Sequence, residues 1–314
     1  MGQCSCNSTD IFNTGVPNCQ PLAGVIKRII LYPTQDASGN LNRIDLNSIP
    51  DNAAILALIN EDDPLKRLYP VAASMVNVTN VRSEPQTEDF DNGDVIKIKD
   101  GVKSFHGEFV KQGATLADNL NKVECVRMSA FLVDSNGALI GDKSVSGYLT
   151  PIAIKDGTWN VQTLDTTDST VAKVTLDLQW SDAVGDGDIG FLTESDFESG
   201  VNWLKYNGLV GLNGSAAGTI TVNGFTMKIT NNYGSVTGQG VSGLELADFV
   251  CNETSPTPAP EPLASATESS TEQGLYTFVY TTPVASGDLL ELSIAPTTLG
   301  YDDSNIKSQV ITTP

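Results

Sequence analysis

The chain contains one histidine, His106, and a general base working near neutral pH is most often a histidine. It lies beside Phe105 in a stretch that alternates like a strand. No nucleophile and orienting partner are spaced around it, so the residues favour a structural role. The second group with chemical capacity is acidic: Asp182, Asp186, Asp188, Glu194, Asp196 and Glu198 are interleaved with glycines, with no Lys or Arg between them. Asp182, Asp186 and Gly187 fall at three positions of an EF-hand calcium loop, but Val184 and Thr193 stand where oxygen ligands belong. A solvated acidic loop is the favoured reading. Gly185, Gly187 and Gly190 sit in a field of the wrong sign for cradling phosphate. The five cysteines, Cys4, Cys6, Cys19, Cys125 and Cys251, are odd in number and irregular in spacing, which makes a poor disulfide framework. Cys4, Cys6 and Cys19 lack a fourth zinc ligand nearby. Cys125 and Cys251 lie in apolar, strand-like contexts and are expected to be buried thiols. The sequence therefore proposes no catalytic, cofactor-binding or metal-ligating residues and no cofactor, and the expectation is a protein that is not an enzyme.

Charge narrows the partners. The 314 residues carry 38 acidic and 18 basic side chains, a net charge of −20. Gripping nucleic acid by its phosphates needs clustered Lys and Arg, so that class is disfavoured. An acid excess is compatible with nucleic acid passing without sticking, and equally with simple solubility. No apolar run approaches the roughly 20 residues that span a bilayer, and the first residues lack the basic-then-apolar order of a secretory signal. Met1 and Gly2 with Cys4 and Cys6 weakly match a lipidation site. The matches to the glycosylation pattern at Asn7, Asn77, Asn213 and Asn252 are expected by chance in a chain this rich in Asn, Ser and Thr.

The elements that would position these residues read as strands. Charged residues make up only 18% of the chain and 28 residues are glycine, a texture of pleated surfaces and many turns. Residues 24–32 form a first strand that ends at Pro33. The stretch 44–73 is cut by Pro50, Pro64 and Pro70, with one helical turn expected at 64–68. Residues 75–82 alternate as a strand. Strand 95–99 is then expected to turn at Asp100-Gly101 and pair with 102–109, because such dipeptides close two-residue hairpins. Leu116, Leu120 and Val123 fall at helical spacing behind a weak cap at Thr115. Strand 124–133 and Asn136-Gly137 give a second hairpin into 138–140. Residues 148–155 turn at Asp156-Gly157 into 159–164. Residues 171–180 alternate most clearly, with Ala172, Val174, Leu176, Leu178 and Trp180 on one face. A short helix is expected over 195–206, and a third hairpin joins 219–222 to 225–230 through Asn223-Gly224. Four prolines within 254–262 read as a semi-rigid linker.

The resulting fold class is mainly β: an antiparallel sandwich or barrel with one flanking short helix, plus a small C-terminal β-sandwich. The boundaries are a leader at 1–19, a core at 20–181, and an acidic loop with a further hairpin at 182–253, completing or inserted in the core. The linker at 254–262 and a small domain at 263–314 follow.

The order of hairpin, short helix and hairpin, with the phrases FDNGDVIKIKDGVKSFHGEF (90–109) and FLVDSNGALIG (131–141), resembles the tail tube proteins of tailed bacteriophages, in particular those of Bacteroidetes-type hosts. Residues 263–314 look like the immunoglobulin-like domain appended to many phage structural proteins. The resemblance implies a virion protein of the phage tail: hexameric rings of identical subunits, stacked into a hollow tube through which the genome is ejected. Its partners would be further copies of itself, other tail proteins, and DNA passing without specific binding, with no membrane. The short helix would wedge between neighbouring subunits, while residues 44–73 and the leader would reach the next ring. A lumen of this kind should repel the DNA backbone, and Asp89, Asp91, Asp94, Asp100 and the 182–198 loop are the candidates to line it. Two alternatives stand beside this: a capsid decoration or minor head protein, and a carbohydrate-binding adhesin or fibre module. The sequence lacks the aromatic clusters that the adhesin would use for sugar stacking.

Overall fold

Residues 173–179 are where the alternation is cleanest. Val174, Leu176 and Leu178 are buried while Lys173, Asp177 and Gln179 are half-buried on the opposite face. The computed structural model describes residues 23–71, 74–198, 200–231, 233, 237–295, 300–307 and 311–313, in two units, Met1–Gly208 and Leu209–Pro314. The leader expected at 1–19, with Cys4, Cys6 and Cys19, lies outside the described residues.

The first unit begins with β1 (Ile26–Pro33), β2 (Ile44–Asp45), α1 (Asn52–Ile59) and β3 (Tyr69–Pro70). Next come β4 (Met75–Arg82), β5 (Gln86–Asp89), β6 (Val95–Lys99), β7 (Lys103–Val110) and α2 (Ala114–Lys122). Then follow β8 (Met128–Asp134), β9 (Leu139–Asp142), β10 (Tyr148–Leu149), β11 (Ile152–Ala153), β12 (Asn160–Leu164), β13 (Lys173–Gln179) and β14 (Ile189–Leu192). One sheet runs β14-β9-β8-β1-β3, with β11 also on β8, and the other runs β12-β13-β7-β4. Ile29, Leu31, Ala130 and Leu132 from the first sheet meet Phe105, Phe109, Val174, Leu176 and Leu178 from the second in one apolar core. Each Ile, Leu, Val or Phe among them, fully buried, contributes about 1.5–3 kcal/mol. The sheets share a corner: Ile154 bridges Trp180, and Ser181 N donates to Ala153 O at 2.8 Å. The result is a sandwich that closes into a half-barrel, as the mainly β pattern requires.

The second hairpin forms as read, with Leu132 opposite Ile140 and Gly137 at φ +79°. Its turn is built on Asp134, only 1% exposed, which accepts from the backbone amides of Gly24, Asn136 and Ala138 at 2.8–2.9 Å. Helix α2 also forms, burying Ala117 and Leu120, although Gly113 stands at its N-cap and offers no side-chain bond. Trp159 Nε1 donates to Leu120 O at 3.0 Å and ties the helix to the sheet edge.

Four local readings are corrected. Strand β6 pairs with β5 and not with β7, which instead lies between β4 and β13. The strand expected at 148–155 is two short strands, β10 and β11, while the Asp156-Gly157 turn forms as read, with Gly157 at φ +72°, and leads from β11 on β8 to β12 on β13. Residues 52–59 are helical, which the prolines had hidden, capped by Asp51 Oδ1 accepting from Ala54 N at 2.7 Å; the single turn expected at 64–68 is present over 64–66, with Arg67 N donating to Asp63 O at 3.1 Å. Over the described residues of 195–206 there is a 3-10 turn at Glu194–Asp196 and no helix, and Phe197, Trp203 and Tyr206 stack edge to face instead of lining one.

The second unit contains β15 (Val210–Ala216), β16 (Gly224–Asn231), β17 (Gln239–Gly240), β18 (Phe249–Ser255) and β19 (Ala259–Pro260). It continues with β20 (Leu263–Glu268), β21 (Leu275–Tyr280), β22 (Leu289–Ile294), β23 (Tyr301–Asp303), α3 (Ser304–Lys307) and β24 (Ile311–Thr312). One sheet is β20-β21-β16-β15-β23, with β17 on β16, and the other is β19-β18-β22-β24. Met227, Tyr276, Phe278, Leu290 and Leu292 share its core. The expected linker is therefore part of a sheet. β18 before it pairs with β22 after it, and β16 pairs with β21. Pro260 sits in the edge strand β19, where a missing N–H costs no ladder bond. Residues 263–314 alone are too few to bury a sizeable core, and strands from 209–253 complete it. The third hairpin pairs β15 with β16, so its first strand precedes the one expected at 219–222. Gly224 is required by close approach, since a Cβ there would lie 2.2 Å from Phe278 O.

Candidate functional site

Strands β4 and β7 pair within their sheet as far as Arg82 opposite Lys103. Beyond that point the same two chain segments continue as β5 and β6, which pair with each other and with nothing else among the described residues. A turn closes the tip, with Phe90 N donating to Asp94 O and Gly93 N to Phe90 O, both at 2.8 Å, and Gly93 at φ +86°. Every residue of β5 and β6 is exposed, including Val95 at 61%, Ile96 at 57% and Ile98 at 55%. Period-two alternation puts Ile96 and Ile98 on one face of the ribbon and Val95, Lys97 and Lys99 on the other.

The base of the ribbon is tightly built. Ser83 N donates to Val102 O at 2.9 Å, Val102 N donates to Ser83 Oγ at 2.9 Å, and Arg82 Nη1 donates to Gly101 O at 2.9 Å. Gly101 is there because the two legs cross: a Cβ would lie 1.7 Å from Ser83 O. Asp186 braces the same place, 3.2 Å from Arg82 Nη2 and 3.3 Å from Lys103 Nζ. The hydrogen bond from Arg82, followed by that from Lys103, holds the Asp186 carboxyl below the usual carboxylate range despite partial burial.

Asp89, Asp91, Asp94 and Asp100 are thus brought together on the ribbon. Asp100 pairs with Lys97, and this bond lowers its pKa. The acidic loop does not act as one unit. Asp186 reaches the ribbon base, and Asp182 pairs with Lys155 at 3.1 Å. Asp188 accepts from Gly185 N at 3.0 Å, and Asp196 from Thr193 N at 2.7 Å. Among the described residues no group of three or more His, Cys, Asp or Glu converges as a metal site.

His106 points outward from β7 in a row across the sheet, with Thr79 on one side and Asp177, then Asn160, on the other. Its Nδ1 lies 2.7 Å from Asp177 Oδ1, and its Nε2 lies 3.9 Å from Glu108 Oε1. Glu108 is itself held by Lys173 Nζ at 2.7 Å and Asn77 Nδ2 at 2.8 Å. Asn77 reaches it from a bulge at φ +51°, a conformation that Asn tolerates. The Lys173 bond, chiefly, pulls the Glu108 pKa down against the opposing effect of burial. The group is a hydrogen-bonded network that ties three strands together.

Two further features carry little sequence signal. Arg28, 3% exposed on β1, donates from Nη1 to Leu204 O at 2.8 Å, Trp203 O at 3.3 Å and Tyr206 O at 2.5 Å. A charged residue inside an apolar strand is the only hint of this anchor. A cavity of about 310 Å³ in the first unit is lined by Ile26, Leu132, Ile152, Trp180 and Phe191 among others. Two polar side chains on its wall are engaged, Asn80 by Trp180 Nε1 and Lys103 by Asp186. Of the cysteines, Cys251 is buried and its thiol pKa is pushed up to about 12 by burial. Cys125 is exposed, contrary to expectation, because it ends a 3-10 turn rather than lying inside a strand.

No protein-family model matches the chain, and no curated protein matches it. Among solved structures, a chain from "Cryo-EM structure of the anti-feeding prophage (AFP) baseplate, 6-fold symmetrised" aligns over 97% of its own length and 56% of this chain, at 11% identity and a TM-score of 0.25. Superposition at that level does not establish a shared fold. No helix among the described residues is long and apolar enough to cross a membrane.

Proposed function

We propose that this chain is a structural, non-catalytic subunit of a phage-type tail tube, assembling with copies of itself into stacked hexameric rings. The observation that carries the reading is the ribbon at 83–102. A two-stranded hairpin is at best marginally stable alone in water. This one holds Val95, Ile96 and Ile98 more than half exposed, beside a well-buried core of its own unit. Exposed apolar strand surface of that kind marks a place of contact with another chain. The resemblance of residues 90–109 and 131–141 to tail tube subunits supplies the kind of assembly.

In this reading the rings enclose the conduit for genome ejection, the particle is the phage tail, and DNA passes a lumen of net negative potential without specific binding. Asp89, Asp91 and Asp94 of the ribbon are the residues assigned to that field, since Asp100 is matched by Lys97 and Asp186 by Arg82 and Lys103. Electron microscopy of the purified protein tests the proposal. Hollow tubes or six-fold rings are expected. A species that stays monomeric at every concentration would overturn the assembly, and a tube lined by Lys and Arg would overturn the lumen.

A further inference from the structure

We propose that Lys173 and Asn77 join through an amide bond between their side chains, with Glu108 moving the protons. The three residues stand on the adjacent strands β13, β7 and β4. Glu108 lies opposite Thr175 on one side and Val76 on the other, so its carboxylate can be reached from both neighbours. Lys173 Nζ donates to Oε1 at 2.7 Å, and Asn77 Nδ2 donates to Oε2 at 2.8 Å. An amine and a carboxamide are thereby held on the two oxygens of one carboxylate. Glu108 is only 9% exposed, which limits the access of water to the group.

Ion pairing alone does not account for Asn77. Lys173 already neutralises Glu108, yet the chain is distorted to add a second donor. The register of β4 against β7 slips between Val76 and Thr79, and Asn77 takes φ +51°. Bulges of this kind re-aim a side chain, and left-handed backbone at a residue other than glycine collects where the local geometry has a task.

The step balances without a co-reactant. Glu108 takes a proton from the Lys173 ammonium, and the freed electron pair attacks Asn77 Cγ. The flexible Lys173 stem carries the amine from Oε1 to that carbon. The Cγ–Nδ2 bond breaks as the leaving nitrogen receives that proton and the one shed by the attacking nitrogen, so an ammonium ion departs. One carbon–nitrogen bond forms, one breaks, and nothing is oxidised or reduced. Holding both groups at one carboxylate makes the reaction intramolecular, which is the source of high effective molarity. The Lys173 bond that lowers the Glu108 pKa also makes the carboxylate a weak base, so the reaction is slow. Its product ties β13 to β4 across β7, and β4 is the strand that continues into the ribbon.

Mass spectrometry of the full chain tests this. Purified protein kept for several days in neutral buffer should become lighter by one ammonia. Trypsin should then fail to cut after Lys173 and release one branched peptide joining 68–82 to 156–205. Lys173→Arg keeps a cation for Glu108 but offers no amine nucleophile, and it should hold its full mass. Glu108→Gln should form the link at least about a hundredfold more slowly. The wild-type mass decides the proposal even where a variant fails to fold. Wild type that keeps its full mass would overturn it. So would loss of ammonia with 68–82 still a separate peptide, or equal loss in a folded Lys173→Arg protein.

Discussion

Replacing Gly101 by alanine should separate the ribbon from the body of the first unit. The added Cβ would lie 1.7 Å from Ser83 O, 2.5 Å from Ser83 C and 3.0 Å from Glu84 O. All three are backbone atoms, so no side chain can rotate away, and the two legs must move apart. That movement breaks Ser83 N to Val102 O and Val102 N to Ser83 Oγ, each worth about 0.5–1.5 kcal/mol net, and the charge-assisted bond from Arg82 to Gly101 O, worth about 1.5–3 kcal/mol. The local loss is roughly 2.5–6 kcal/mol, more than a two-stranded ribbon holds in reserve. The core at Phe105, Phe109 and Val174 does not depend on these bonds, so the body should survive. Gly93→Ala is the control. Its φ of +86° costs strain of about 1–2 kcal/mol, but nothing lies within 4 Å. Limited proteolysis with mass mapping should show new cuts within 83–102 in Gly101→Ala, resistant fragments of both units, and no assembly by sedimentation. Gly93→Ala should assemble at higher concentration. A Gly101→Ala protein that assembles like wild type, or in which both units lose resistance together, would refute the reasoning.

Arg28→Met should destabilise the first unit by at least about 1.5–3 kcal/mol, the worth of one hydrogen bond to a charged group, because the carbonyls of Trp203, Leu204 and Tyr206 lose a charged donor; a loss of unfolding free energy in urea smaller than about 0.5 kcal/mol, the least a hydrogen bond contributes, would contradict the anchor. Glu108 has a lowered folded pKa, set first by Lys173, so its contribution is present above the ordinary carboxylate range and is lost as pH falls through the folded value. Glu108→Gln should therefore flatten the acid limb of the first unit's stability curve, measured by chemical denaturation across pH. Glu261 has the opposite sign: burial first, then Glu253 and Asp288, raise its pKa, so its contribution is present at low pH and lost as pH rises through the folded value. Glu261→Gln should raise the thermal midpoint of the second unit at neutral pH and change little in acid, and a lower midpoint at neutral pH would refute that assignment.

What was legible in the sequence was one-sided. Val174, Leu176 and Leu178 declare their buried face by alternation alone, and Asn136-Gly137 closes the hairpin that its residues demand. The partner of β6 was not legible, for a definite reason. Turn dipeptides stand on both sides of it, Asn92-Gly93 before and Asp100-Gly101 after, and either closes a hairpin on local grounds. The choice is made by Ser83 meeting Val102, a contact 19 residues apart. Helix α1 was hidden because NAAILALI is apolar on all sides, which erases the period that betrays an amphipathic helix. The prolines at 254–262 suggested a spacer because proline favours extended chain, and an edge strand has the same preference. For the candidate site, the acids at 89–100 could be named in advance. That they share one ribbon with three exposed apolar residues could not, since exposure is a property of the assembled sheets.

The net charge of −20 changes meaning once the carboxylates are followed individually. Many are devices of the turns that hold them: Asp36 accepts from Ser38 N and Asn40 N, Asp45 from Asn47 N, Asp142 from Ser144 N, and Asp288 from Ala285 N. A chain with this many loops accumulates Asp because Asp folds loops, and that excess says little about partners. The ribbon acids differ. The side chains of Glu84, Glu88, Asp89 and Asp91 cap nothing and enter no hydrogen bond or ion pair with a described residue. Asp165, Asp168, Glu194 and Glu291 are likewise without a bonded side-chain partner among the described residues; the ribbon differs in setting such carboxylates along one leg with lysines on the other.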